Sequence, residues 1–410
     1  MPSLSLTNRW AVLALMFFVR LTIPLHFQSI AAVAPFLIAE LGFSYSMIGL
    51  LMGLYMLPGI LLTIPGSMLG ERFGQKPVML VSIALMMGGT LGSVFFTGLG
   101  AMIALRLAGG VGAVVLNTQT NKVVTDRFAG RELATAMAIA ASAFGLGIGI
   151  ATGSLGGLAE LTSWRTALVV TICITAAMMG LMMGLYRDEY PAGPAAAEKR
   201  EDAPAGKSPL WNLTRQETTL MAVAGLTQSG FVVGYILFMT FAPVLLIERG
   251  APISAAGALV GVAALVAIFS VPLGGMLTDR IGKYGDLLVA GCAAGTALSC
   301  ALFSFTGPAL LWVMLFGLIR GGCTGGILSL PGQVLRPRSR GAGMSVFFTV
   351  HYIALAVLPP LGGWLRDSAG AAWAVMLAAA TWLSIVGSLA VFRMVQRHFA
   401  LSSPALPAER

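Results

Sequence analysis

Charged side chains are scarce in this sequence. Its 410 residues carry 25 Lys+Arg and 16 Asp+Glu, 10% of the chain, against about 25% in soluble domains. Hydrophobic residues make up 57% and the mean hydropathy is +0.88. A soluble globule of this length still shows a charged exterior, so the deficit excludes a soluble enzyme, a nucleic-acid module and a disordered chain. Cysteine is rarer still. Cys173, Cys292, Cys300 and Cys323 all fall inside apolar runs without pairing or ligand spacing. They read as small core residues and offer neither a disulfide nor a metal site. Catalytic triads, phosphate loops and metal-ligand clusters are missing too, which points to no cofactor and argues against ATP-driven transport.

What fills the chain instead is apolar runs. A spanning helix needs about 20 apolar residues. Runs of that kind fall at about 10–33, 45–68, 78–98, 101–121, 138–160 and 163–186, then at about 218–247, 253–277, 286–306, 308–332, 342–363 and 372–393. The first follows Arg9 and Trp10 without a small-residue cleavage site, so it reads as an uncleaved span. Between the two sets of six lies a segment rich in Ala, Pro and charge that cannot bury a core. The expected organisation is an all-α membrane protein with an N-terminal bundle at 1–187, a linker at 188–216 and a C-terminal bundle at 217–410.

Cations set the orientation. With both termini in the cytoplasm, Arg9, Arg72, Lys76, Lys122, Arg127, Arg131, the linker cations, Arg280, Lys283, Arg336, Arg338, Arg340, Arg393, Arg397 and Arg410 all lie inside. Arg165, Arg249 and Arg366 alone lie outside. This is the positive-inside pattern of a cell-membrane protein, here the inner membrane, and it accounts for the net charge of +9 without a nucleic-acid partner.

The two sets of spans echo each other. Leu69-Gly70-Glu71-Arg72-Phe73-Gly74-Gln75-Lys76 recurs 208 residues later as Leu277-Thr278-Asp279-Arg280-Ile281-Gly282-Lys283-Tyr284. The glycine permits a tight reversal, and the acid can pair with a cation or sit at a helix N-terminus. Leu155-Gly156-Gly157 recurs as Leu361-Gly362-Gly363, and Arg106 and Arg320 each precede paired glycines.

Over essentially the whole chain these features resemble the major facilitator superfamily. Glu71, Arg72, Gly74 and Lys76 match its acid-Arg-x-Gly turn, and Asp279, Arg280, Gly282 and Lys283 match it again. The first copy has Ser67 where Gly is usual and Gln75 where a base is usual. Arg106, Gly109, Gly110 and Gly112 resemble the span-four motif. Gly153 stands where the antiporter motif of span five has Pro. The resemblance implies two pseudo-symmetric six-helix bundles rocking about a midplane site lined by spans one, four, seven and ten. It assigns the two turn motifs to gating. The Arg20, Arg106 and Arg320 pattern and the loop from Val123 to Glu132 look most like the cyanate permease and nitrate/nitrite-type anion porters.

Charge within the spans has one sign. Every acidic residue falls at a span end, a loop or a tail, whereas Arg20, Arg106 and Arg320 lie within spans. A cation at membrane depth costs about 2.5–3.5 kcal/mol or more, so it should face a wet cavity and serve a purpose. Arg106 sits nearer the outer end, where it can snorkel. With no carboxylate at that depth, the counter-ion is expected to be the substrate, and a guanidinium fork suits small organic or inorganic anions. Asn117, Gln228, Tyr235 and His351 are further candidate contacts. His26 and His351 are the titratable groups available for proton coupling. The expected protein is a monomeric secondary transporter of a small anion, an exchanger or proton-linked symporter working by alternating access. The alternatives are a proton-coupled efflux antiporter for hydrophobic compounds, disfavoured by Gly153 and the missing carboxylate, and a transporter-like membrane sensor.

Overall fold

The computed structural model describes residues 8–128, 132–188, 213–281, 284–335 and 340–402. They form 12 helices long and apolar enough to cross a membrane. These are span 1 (Arg9–Ala32), span 2 (Tyr45–Thr63), span 3 (Gln75–Phe95), span 4 (Leu99–Arg127), span 5 (Thr135–Leu161) and span 6 (Trp164–Leu185). The second set is span 7 (Arg215–Glu248), span 8 (Ile253–Thr278), span 9 (Gly285–Phe305), span 10 (Ala309–Gln333), span 11 (Ala342–Ala369) and span 12 (Ala371–His398). At a rise of 1.5 Å per residue, about 20 residues cover a 30 Å hydrocarbon layer, so each is long enough. Leu61, Phe95, Phe269, Leu287 and Phe305 are all at least 70% exposed, as side chains bathed in lipid can be. An even number of crossings puts Arg9 and His398 on one face. That face is called proximal here and the other distal.

Local chemistry explains where the helices start and break. Span 7 begins three residues before its apolar run because Thr214 and Glu217 form a capping box on its first turn. Span 2 is two helices, Tyr45–Met56 and Gly59–Phe73, interrupted at Leu57 and Pro58, since proline supplies no N–H to the helical ladder. Gly74 follows with φ of +89°, a backbone that favours glycine and turns the chain into span 3. Span 10 is the most broken. Ala309–Ile319 is α-helical, Arg320–Cys323 is 3₁₀, Thr324–Ser329 is α-helical and Pro331–Gln333 is 3₁₀ again. A β-carbon on Gly321 would overlap the Ser270 carbonyl, so glycine there lets spans 8 and 10 touch backbone to backbone.

Spans 1–6 and 7–12 form two bundles that meet along two seams. In one seam Gly149, Gly153 and Gly157 of span 5 face Ala264, Gly261 and Ser254 of span 8. In the other, Gly49 and Gly53 of span 2 face the carbonyls of Pro359 and Ala356 in span 11. Small residues are what permit such close approach where lipid offers no hydrophobic drive. The bonds joining the bundles include Asp367 to Ser46 and Glu160 to Ser254 at the distal face. Gln28 to Thr240 and Tyr235 to Gly145 lie deeper. The proximal ion pairs Arg9–Glu132, Lys122–Glu71 and Arg393–Asp286 each stay within one bundle. The structure is therefore the distal-closed form.

Candidate substrate site between the bundles

Arg20 sits eleven residues into span 1, about 16 Å from its proximal end. Its Nη1 donates to Asn121 Oδ1 of span 4. Asn117, one turn along the same face, lies beside Tyr352 of span 11, which is also near the Arg20 guanidinium. Arg20 is half-buried, and its buried Nε has no partner. Span 1 thus presents a cation to an amide and phenol wall formed by spans 4 and 11.

The second cation is Arg320 in the 3₁₀ break of span 10. It is 5% exposed and lies over the Tyr235 ring at 3.9 Å and the Phe231 ring at 5.3 Å. The Tyr235 hydroxyl itself donates to the Gly145 carbonyl of span 5 at 2.7 Å. Tyr235 also stacks on Phe316 at 6.2 Å between ring centroids. Cation–π contacts of this kind hold a guanidinium without neutralising it. Arg320 Nε is buried and unpartnered. On the same span 7, Gln228 is half-buried with an unpartnered Oε1, and Ser229 Oγ lies 3.4 Å from His351 Nδ1. Spans 7 and 11 link the Arg320 group to the Tyr352 group.

Two expected contacts lie elsewhere. Arg106 does not snorkel to the distal surface. It is 2% exposed inside the first bundle, where Nη1 donates to the His26 carbonyl at 2.8 Å and the guanidinium lies 5.5 Å from the Tyr55 ring centre. Gly109 and Gly110 let Tyr55 close against that stretch of span 4, which leaves the side chain folded inward rather than outward. His26 is fully buried, with Nδ1 2.7 Å from Thr90 Oγ1 and Nε2 2.8 Å from Thr175 Oγ1. Both ring nitrogens are engaged within the bundle, which is the geometry of a packing histidine. His351, on span 11 and 9% exposed, faces Ser229 of span 7.

The turn motif is visible in its first copy. Glu71 lies in the last turn of the helix Gly59–Phe73 and pairs with Lys122 of span 4 at 2.7 Å. The Arg72 guanidinium lies over Phe73 at 5.3 Å. Lys76 Nζ donates to the carbonyls of Met183 and Tyr186, each at 2.7 Å. Lys76 N–H donates to Asp188, whose carboxyl burial holds above its usual range. In the second copy Asp279 and Arg280 belong to the last turn of the helix Ile253–Ile281, while Gly282 and Lys283 lie outside the described residues.

Among the described residues no carboxylate pairs with Arg20, Arg106 or Arg320, and no three His, Cys, Asp or Glu could hold a metal ion. Sequence reasoning missed Asn121, Tyr352, Phe231 and Gln28. A signal existed for two of them, since Asn121 follows Asn117 by four and Gln28 follows Arg20 by eight, both one-face spacings on a helix.

Known proteins agree on the architecture. The sequence model of the Major Facilitator Superfamily matches residues 16–359. The hexuronate transporter of Bacillus subtilis (strain 168) is 24% identical over 62% of this chain and 61% of its own length. An MFS-type transporter of Mycobacterium tuberculosis, Rv1250, is 27% identical over 44% of this chain, with 31% of that protein spanned. Monocarboxylate transporter 12 of Rattus norvegicus is 28% identical over 76% of this chain and 70% of its length. In structure, the inward open xylose transporter XylE from E. coli superposes with a TM-score of 0.75 at 12% identity, covering 96% of this chain and all of that one. A peptide transporter POT structure in complex with sulfate gives 0.69 at 14% identity over 94% and 95%. With twelve spans in two bundles and a family match over most of its length, the chain belongs to the major facilitator superfamily.

Proposed function

We propose that this secondary transporter carries a small organic anion, a carboxylate, which binds between Arg20 and Arg320. The observation that carries this reading is the pair of guanidiniums, one in each bundle, with no carboxylate partner among the described residues. Leaving such cations unneutralised at membrane depth costs several kcal/mol, and an anion that bridges the bundles offsets it. Asn117, Gln228, Tyr235 and His351 orient the remainder of the ligand. Arg106 belongs to the fold of the first bundle. Two relatives named for hexuronate and monocarboxylate transport support a carboxylate over cyanate or nitrate.

The cycle is alternating access. Turnover runs as anion exchange or with a proton carried alongside, His351 being the protein group nearest the site for that task. The turn motifs around Glu71 and Asp279 hold proximal contacts in one state. The proposed bundles are 1–187 and 215–410, joined by a linker at 188–214, because span 7 starts at Arg215 rather than at the expected 217. The protein works as a monomer in the inner membrane with its proximal face, and both termini, in the cytoplasm.

Thermal unfolding of the purified protein tests the ligand class. Millimolar hexuronate or a short monocarboxylate is expected to raise the melting temperature, with no shift in Arg20→Gln or Arg320→Gln. Stabilisation by lipophilic cations alone would instead favour a hydrophobic-compound efflux pump.

A further inference from the structure

Two carboxylates at the distal face make the same contact in the two pseudo-symmetric halves. Asp367, at the end of span 11, accepts from Tyr45 N–H at 3.1 Å, Ser46 N–H at 2.7 Å and Ser46 Oγ at 2.6 Å. These are the first N–H groups of span 2, in the other bundle. Glu160, at the end of span 5, accepts from Ser254 N–H at 2.8 Å, in the first turn of span 8, again across the bundles. The two serines are 208 residues apart, the offset of the repeated turn, and the two acids 207, one residue less. Each acid follows a Gly-Gly pair. A β-carbon on Gly363 would overlap the Tyr45 carbonyl, and one on Gly157 would press on Ser254, so the glycines let these helix ends meet.

We infer that Asp367 and Glu160 are positioning residues of the transport cycle, a two-fold repeated latch that sets the balance between distal-closed and distal-open forms. The first-turn N–H groups of a helix have no partner within it, and the helix dipole favours an anion there. Each bundle supplies that anion to the other only while the distal face is shut. When the bundles rock apart, water must replace all of these bonds.

The two copies differ in strength. Asp367 accepts three bonds, and its neighbour Arg366 lies over Tyr45 at 4.0 Å while pairing with Glu248 at 3.2 Å. Arg366 also stands 3.7 Å from Asp367, and Glu248 accepts from Ala371 N–H at 3.3 Å, so the charges around this latch form one network. Among the described residues Glu160 accepts one bond, from Ser254. The span 2–span 11 side is the stronger catch.

Amide exchange on the full-length protein, followed by mass spectrometry, tests the latch without reference to any substrate. Asp367→Asn is expected to raise exchange about tenfold in the first turn of span 2. It is also expected to raise exchange in the first turn of span 8, which Asp367 does not touch, because the two seams part together. Glu160→Gln acts in the same sense by about threefold. Ser46→Ala, which removes only a hydroxyl bond and leaves both N–H groups, gives a smaller change of the same sign with an unaltered melting profile. Faster exchange confined to the turn next to each substitution would overturn the inference, as would unchanged exchange in all three variants. Failure of the carboxylate reading would leave these outcomes untouched.

Discussion

Three arginines of one chemical type have three environments. Arg20 meets an amide oxygen and a phenol, Arg320 lies on two aromatic faces, and Arg106 donates to a carbonyl inside a bundle. Their presence within spans and the absence of acids beside them were legible in the sequence. The difference between Arg106 and the other two was not, because position along a helix does not say whether a side chain folds toward the bundle axis or toward the other bundle. A buried guanidinium with Nε and Nη2 unpartnered contributes little net stability, and an apolar replacement of similar length can match it. Arg106→Met is therefore expected to hold uptake within about twofold of wild type and to leave the melting temperature nearly unchanged. Uptake in proteoliposomes and a melting curve check both, and a collapse of uptake alone would place Arg106 in the site. Tyr235→Phe removes the bond to Gly145 while leaving the ring under Arg320. The loss is expected to reduce uptake about fivefold, one hydrogen bond being worth about 1 kcal/mol.

At the scale of elements, helix number, order and approximate ends could be read from apolar runs alone. The breaks were harder. Span 10 reads as one continuous run in the sequence, yet it passes through two 3₁₀ segments. Its glycines and Pro331 hold the information, but only the backbone contact with span 8 shows why it is used. The glycine echoes were visible as repeats, and the seams they form appear only once the two bundles are placed side by side. Gly149→Leu is expected to wedge span 5 from Ala264 of span 8. The distal-closed form would be lost and uptake would fall more than tenfold while the helical circular dichroism is kept. A variant with normal uptake would show that this seam opens without cost. A different connection ties the loop side of the first bundle. Glu40 accepts from Arg165 Nη1 and Trp164 Nε1, each at 2.6 Å, and these bonds, the one from Arg165 foremost, hold its carboxyl below the usual range. Such a group stabilises the fold above the ordinary glutamate pKa of about 4.3 and loses that effect as pH falls through its lower folded value. Melting curves of wild type and Glu40→Gln are thus expected to differ slightly at neutral pH and to converge in acid.

For the molecule as a whole, composition established the lipid environment and the repeated turn established the two-fold design. What the sequence could not show is which seams are closed, because the same contacts form and break in turn as the bundles rock. The distal bonds from Asp367 and Glu160, set against proximal ion pairs that stay within a bundle, identify the closed side. Each bundle carries a membrane-depth cation, Arg20 or Arg320, with no carboxylate partner among the described residues, and this is the reason for proposing an anion as the cargo. The decisive measurement is uptake of labelled hexuronate and of a labelled monocarboxylate into proteoliposomes preloaded with the same anion, for wild type, Arg20→Gln and Arg320→Gln. Wild type is expected to take up at least one carboxylate, with a loss of about tenfold or more in each variant, as for removal of one charged hydrogen-bonding partner. Wild-type rates in both folded variants would contradict the anion reading.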